Sequence, residues 1–252
     1  MKITLAQIAS VAGDIEGNVT KIVEAAHKAK ASTLVILPEL AVSGICSAEM
    51  FKSPGFIEKC EKALDKIAAE CENIGLLVGC PVGKYNAAVY LFQGQRKVFK
   101  KKYLEDFEKG VFETSDADEL LQIGCHKYAV TIGKDLENTN DDEFLLTNRV
   151  DELMPLSPDI IVNIAAVKGG ADVSRKRRNA LRQNVLKTER PLVFVNSVAP
   201  KKEATFDGGS MIFGYESYVV ASAPFFEEAV VDVNLECLIS MKHEDEQQDY
   251  VL

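Results

Sequence analysis

"TLVILPELAVSG" (residues 33–44) joins an unbroken apolar run to a carboxylate. Leu34 to Leu37 offer no polar face, the pattern of a strand covered on both sides within a layered α/β protein. Pro38 ends the run, because it cannot donate to a strand ladder. Glu39 comes immediately after. A carboxylate at the end of a buried strand is costly to desolvate unless it is paired, which makes Glu39 a candidate base with a raised pKa. Read from the residues alone, it equally suits a solvated loop.

Outward from this stretch, strands and helices alternate. "KITLAQI" (2–8) reads as a strand, and Ile15, Val19, Ile22, Val23 and Ala26 follow at helical spacing. Phe56, Ile57, Cys60, Leu64, Ile67, Ala68 and Cys71 form an amphipathic stripe before the strand "GLLVGC" (75–80). "NAAVYLFQ" and "RKVFKKKYL" read as a hairpin around Gln93-Gly94-Gln95. The second half repeats the rhythm: a strand over 128–132, a helix near 142–154 opened by Asp141, Asp142 and Glu143, the strand "DIIVNIAAV" (159–167), and a helix near 174–189. "LVFVNSV", "SMIFGY", "YVVAS" and "AVVDVNL" complete the strands. The expectation is one α/β domain over residues 1–240 with mixed sheets, and a charged tail over 241–252.

Composition narrows the function classes. A net charge of −9 argues against a general nucleic-acid or membrane-surface role. No apolar stretch approaches the ~18 residues of a membrane span, and strand-like residues from the start leave no room for a signal peptide. The six cysteines form no C-x-x-C pair and match no zinc spacing, and the three histidines are scattered, so neither a metal nor another cofactor is expected. Reduced packing thiols in a cytoplasmic protein fit this usage.

Two further segments put polar residues at strand ends. "FKKKYL" (99–104) closes a strand with three lysines, a pattern that by itself reads as solvated. "YAVTIGKDLEN" (128–138) runs as a β-rich strand and stops at Gly133, where many α/β proteins place a reactive side chain.

Taken together, these segments resemble the nitrilase, or carbon–nitrogen hydrolase, superfamily, and most nearly the glutaminase domain of glutamine-dependent NAD synthetases. "MKITLAQIASVAGDIEGNVTKI", "LVILPELAVSGI", "YNAAVYLFQGQ", "FKKKYL", "DIIVNIAA", "RPLVFVNSV" and "FDGGSMIFG" carry the resemblance in order over roughly residues 1 to 235. It implies an αββα sandwich, two mixed β-sheets flanked by helices, with dimerisation through a helical face. By position the family's base falls on Glu39 and its lysine on Lys101. In such enzymes a cysteine thiolate attacks an amide, ammonia leaves, and water releases the acyl group.

The family's nucleophile lies in a pattern resembling Ile-Cys-Glu-Asp. Here it reads Ile132-Gly133-Lys134-Asp135, so the resemblance puts Gly133 at the nucleophile's position. Lys134 stands where an acid helps bind the substrate's amino group, which leads to the expectation of an anionic ligand. "NIAAVKGG" lacks the serines of related glutaminases. "LEDFEKGVFET" is two residues longer than its counterpart, leaving open whether Glu113 is the family's second acid.

Cys46 borders the same pocket in this reading, whereas Cys125 lies about 26 Å upstream along an extended strand. The leading expectation is a protein that has lost amide hydrolysis and serves as a small-molecule-binding or partner subunit, homodimeric or joined to an active relative. The alternative is a working amidase or glutaminase that uses Cys46 or a water activated by Glu39. The synthetase resemblance also implies that the chain lacks the ATP-using domain and cannot make NAD alone. Finally, "SRKRRNALR" (174–182) reads as the start of a solvated helix with acidic neighbours from elsewhere, rather than an anion or partner contact.

Overall fold

The computed structural model describes residues 2–29, 32–137, 147–199 and 206–235. Among them, β1 (Lys2–Gln7), α1 (Ile15–Lys28), β2 (Leu34–Ile36), α2 (Ala48–Phe51), α3 (Phe56–Glu70), β3 (Leu76–Val82), β4 (Tyr85–Phe92) and β5 (Gln95–Lys100) make the first half. The second half holds β6 (Leu121–Ile123), β7 (His126–Ile132), α4 (Arg149–Leu153), β8 (Ile160–Ala165), α5 (Ala171–Thr188), β9 (Leu192–Asn196), β10 (Met211–Phe213), β11 (Val219–Ser222) and β12 (Ala229–Asn234).

Two six-stranded mixed sheets result, ordered β12-β1-β2-β3-β4-β5 and β11-β10-β9-β8-β7-β6. Strand alternation explains how they stack. Ile3, Leu5, Leu34 and Ile36 point one way and meet Val130, Ile132, Val162, Ile164 and Val193 of the second sheet. Ala6, Val35 and Leu37 point the other way, against Val19, Ile22 and Ala26 of α1 and Cys60, Leu64 and Ile67 of α3. On the far side, Ala129, Ile161 and Phe194 pack under Val150 and Leu153 of α4 and Leu181 and Val185 of α5. The layers therefore run helix, sheet, sheet, helix, as the resemblance implies.

Local chemistry sets several boundaries. Asp14 caps α1, accepting a hydrogen bond from Gly17 N at 3.0 Å. The β4–β5 hairpin turns on Gln93 and Gly94, both with positive φ (46° and 76°), the geometry that matches strand twist. Gly79 has a packing role: a Cβ there would lie 2.2 Å from Pro38 O and 2.5 Å from Leu40 N. Only glycine lets β3 run this close beneath the turn that carries Glu39.

Some elements depart from expectation. The helix expected near 142–154 is the single turn and a half of α4, begun by an Asn148–Asp151 capping box. The acidic opening assigned to Asp141, Asp142 and Glu143 lies outside the described residues, as do the tail over 241–252 and Cys237. The next helix begins at Ala171, ahead of the expected 174. Cys46, Cys60, Cys71 and Cys80 are buried and free, and Cys125 is free and exposed. No helix of the described residues is long and apolar enough to cross a membrane.

Candidate active site

Glu39, Lys101, Gly133 and Ala166 each follow the last residue of a strand or lie just past one, and the fold gathers them at one end of the sandwich. Lys101 is fully buried, with Nζ 2.7 Å from Glu39 Oε1 and 2.8 Å from Glu108 Oε2. Asn86, at the start of β4, donates through Nδ2 to Glu39 Oε1 (2.7 Å) and also to Glu108 Oε1. Glu39 Oε2 accepts from Ala166 N at 3.1 Å. Lys101 is thus a buried ammonium shared by two carboxylates, the arrangement in which desolvated charges become tolerable.

The electrostatics follow from that packing. Burial pushes the Glu39 carboxyl up; the Lys101 charge opposes this and Glu108 adds to it. Burial pulls the Lys101 ammonium down, but Glu39 and Glu108 outweigh it and hold the group protonated.

Gly133 opens a short 3-10 turn over Gly133–Leu136 with φ +49°. A Cβ built there would lie 2.6 Å from Glu39 Oε2 and 3.0 Å from Lys101 Nζ. A side chain at position 133 would therefore project onto the acid and the lysine together. The turn is held by Asp135, which is buried and accepts from Ile132 N (3.1 Å), Lys102 N (3.0 Å) and Tyr103 N (2.8 Å). It ties the end of β7 in one sheet to the lysine segment leaving β5 in the other. Burial raises its carboxyl to about 6, against those N–H bonds and the Lys101 charge.

A cavity of about 660 Å³ opens beside this cluster, lined by Glu39, Cys46, Glu105, Asp106, Gly133 and Glu137 among others. Cys46 donates from Sγ to Ser43 O (3.2 Å), and burial raises its thiol to about 11. Such a group stays protonated at neutral pH and is a poor nucleophile.

The remaining residues singled out in the sequence fall elsewhere. Glu113 sits at the surface in an ion pair with Lys84 (2.9 Å) and does not line the cavity. The buried second acid is Glu108, which also accepts from Glu105 N at 2.7 Å and so folds its own loop. Lys134 is half-buried and does not line the cavity, whose walls carry several carboxylates instead. Within "SRKRRNALR", Arg177 is a buried member that meets an acid from elsewhere in the chain. Its side chain is only 8% exposed and pairs with the buried Asp207 at 2.9 Å. Glu108 and Asp135 were missed. Asp135 did end the Ile-Gly-Lys-Asp pattern, whereas Glu108 is indistinguishable by sequence from the acids around it.

Comparison with known proteins agrees with this geometry. The carbon-nitrogen hydrolase family model matches residues 2–242. Glutamine-dependent NAD(+) synthetase of Aquifex aeolicus is 27% identical over 248 residues, covering 94% of this chain and 42% of its own length. The enzyme of the same name from Synechocystis sp. is 28% identical, covering 90% and 44%. The chain thus spans less than half the length of these relatives. Among solved structures, glutamine-dependent NAD+ synthetase from Acinetobacter baumannii in complex with ADP superposes with a TM-score of 0.80 at 24% identity, over 94% of this chain and 46% of that one. The amidase from Nesterenkonia sp. AN1 in complex with butyramide also gives 0.80, at 18% identity, over 100% and 97%. With a family match over nearly its whole length and the fold shared with both enzymes, this chain belongs to the carbon-nitrogen hydrolase family.

Proposed function

We propose that this chain keeps the carbon-nitrogen hydrolase scaffold without amide hydrolysis and acts as a ligand-binding or partner subunit. One observation carries the reading. The position whose side chain would meet both Glu39 and Lys101 is Gly133, and it supplies no nucleophile. In acyl transfer the attacking group must lie within hydrogen-bond reach of its base, and losing it typically costs several orders of magnitude in rate. Glu39 as base and Lys101 as the charge that stabilises a tetrahedral intermediate are thus the remnant of a triad, and they now neutralise one another. Cys46 does not replace the missing thiolate, because its thiol is buried, hydrogen-bonded and raised to about 11.

The cavity supports retention of a small-molecule site. The partner role is supported by apolar exposure at Val173 and Leu186 of α5 and at Phe225 and Phe226, which suits association with a second copy or a related subunit. The free thiols suit a reducing, cytoplasmic setting.

The direct test is mass spectrometry after incubation with glutamine analogues that alkylate nucleophilic cysteines. No rapid stoichiometric adduct is expected. Fast labelling of a single cysteine, Cys46 above all, would overturn the reading. Light scattering at micromolar concentration tests the association: a dimer or larger species is expected, and a strict monomer that recovers no related subunit counts against it.

A further inference from the structure

Where α5 passes β10 and β11, a groove of about 620 Å³ opens to solvent, and it shares no lining residue with the cavity beside Glu39. Its floor holds Met211, Val219, Phe225 and Phe226, and one wall carries Arg175 and Arg178. Phe225 and Phe226 are 50% and 60% exposed, and Phe226 has φ +63°. A phenyl ring left largely in water on a left-handed backbone gains little from burial and adopts a costly conformation. The stability of the fold therefore does not account for it. The turn is nonetheless fixed in place. Phe226 N donates to Asp207 O at 2.9 Å, and the Phe225 ring lies so close over Gly209 that a Cβ there would sit 2.4 Å from Cε1.

The groove is also locally positive within an acidic chain of net charge −9. Asp207 is the one carboxylate among the described residues that line it, and Arg177 takes it up at 2.9 and 3.0 Å together with Ser174. Arg175 meets only Asp172, at 3.2 Å, in an exposed pair of the kind that contributes little. Arg178 is exposed and has no acceptor among the described residues. The two arginines stand three residues apart on α5, so both guanidiniums serve the same side of the groove. A bare apolar patch on a protein of net charge −9 would favour a cationic amphiphile. Two guanidiniums beside an aromatic floor reverse that preference and select an apolar body with one acidic head.

We propose that this groove binds an amphipathic carboxylate, with its apolar body over Met211, Val219, Phe225 and Phe226 and its head beside Arg175 and Arg178. The site lies apart from the Glu39–Lys101 cluster, so it holds whether or not the chain is inert towards amides.

Isothermal titration of the full chain with sodium decanoate and with decyltrimethylammonium chloride, at matched ionic strength and below micelle formation, tests this directly. The two probes share an apolar chain and differ in the sign of the head. Decanoate is expected to bind with one-to-one stoichiometry and on the order of tenfold more tightly than the cation, against the net charge of the protein. Arg178→Glu is expected to weaken decanoate by on the order of tenfold, and so is Phe226→Asn, which removes the ring and suits the left-handed backbone. Both side chains are exposed, so the melting temperature of each variant should match the wild type. Equal or tighter binding of the cation, no decanoate binding in the millimolar range, or unaltered binding by Arg178→Glu would each overturn the proposal. Repeating the titration at a tenfold higher protein concentration separates a small ligand from a second copy. An unchanged affinity is expected, and a weakened one would place another chain in the groove and overturn the assignment.

Discussion

The Glu39–Lys101–Glu108 cluster and the turn at Gly133 touch each other, yet they tolerate change very differently. In the cluster, every charge is buried and each depends on the others: Lys101 bridges two carboxylates and Asn86 donates to both. Removing one member strands the rest in a low-dielectric interior. At Gly133 the structure asks only for a backbone that accepts φ +49° and for room beside Glu39. A side chain there meets a left-handed backbone and Glu39, a local cost that strands no buried charge. On the proposed reading, this difference accounts for a site that keeps its acid and lysine without a nucleophile, because Glu39 and Lys101 belong to a buried charge cluster.

The sharpest way to break this comparison is Lys101→Ala. It should cost on the order of 3–5 kcal/mol, as removal of one partner from a buried ion pair does. Glu39→Gln added to it should recover only part of the loss, because Glu108 remains stranded. The triple change with Glu108→Gln should recover more. Thermal and urea unfolding of the series measures this, and a Lys101→Ala protein that melts like the wild type would show that the cluster does not hold the fold.

Asp135 belongs to both regions, since it pins the Gly133 turn to the lysine segment. A carboxyl raised in the folded state binds its proton more tightly there than in the unfolded chain. Its contribution is therefore fully present below the unfolded value near 3.8 and is lost as pH rises through about 6. Relative to Asp135→Asn, the wild type should gain stability as pH falls from 7 to 5, by on the order of 1 kcal/mol. A gain in the opposite direction would mean that the three N–H bonds prevail over burial. Gly133→Ala should have a smaller effect, roughly 1–3 kcal/mol of destabilisation, from a left-handed conformation and a Cβ crowding Glu39. A neutral result would show that the turn relaxes freely and that glycine is not required there for packing.

The sequence made the scaffold legible where one physical constraint dominated. The two-sided apolar run at 34–37 marked a buried strand, and Glu39 stood out at its end, whereas Lys101 was picked from a run of three lysines only by the family resemblance. Glu113 and Lys134 were drawn toward the site by position within a motif, but position in sequence does not say which way a turn faces. Residues 105–109 fold back through the Glu105 N–Glu108 contact and bring Glu108 inward, leaving Glu113 to pair with Lys84 outside. Arg177 was hidden in a basic run because its partner, Asp207, lies 30 residues away, and only the packing of α5 on the second sheet brings them together.

The claim that position 133 is a nucleophile's place left empty is tested most directly by ammonia release from glutamine and simple amides, measured for the wild type beside Gly133→Cys. The wild type should release none above the buffer blank, while the variant, if it folds with its thiol against Glu39 and Lys101, should gain measurable release and a single alkylatable cysteine at 133. Release by the wild type at a rate that Gly133→Cys does not raise would contradict the account, because a different group would then be performing the attack.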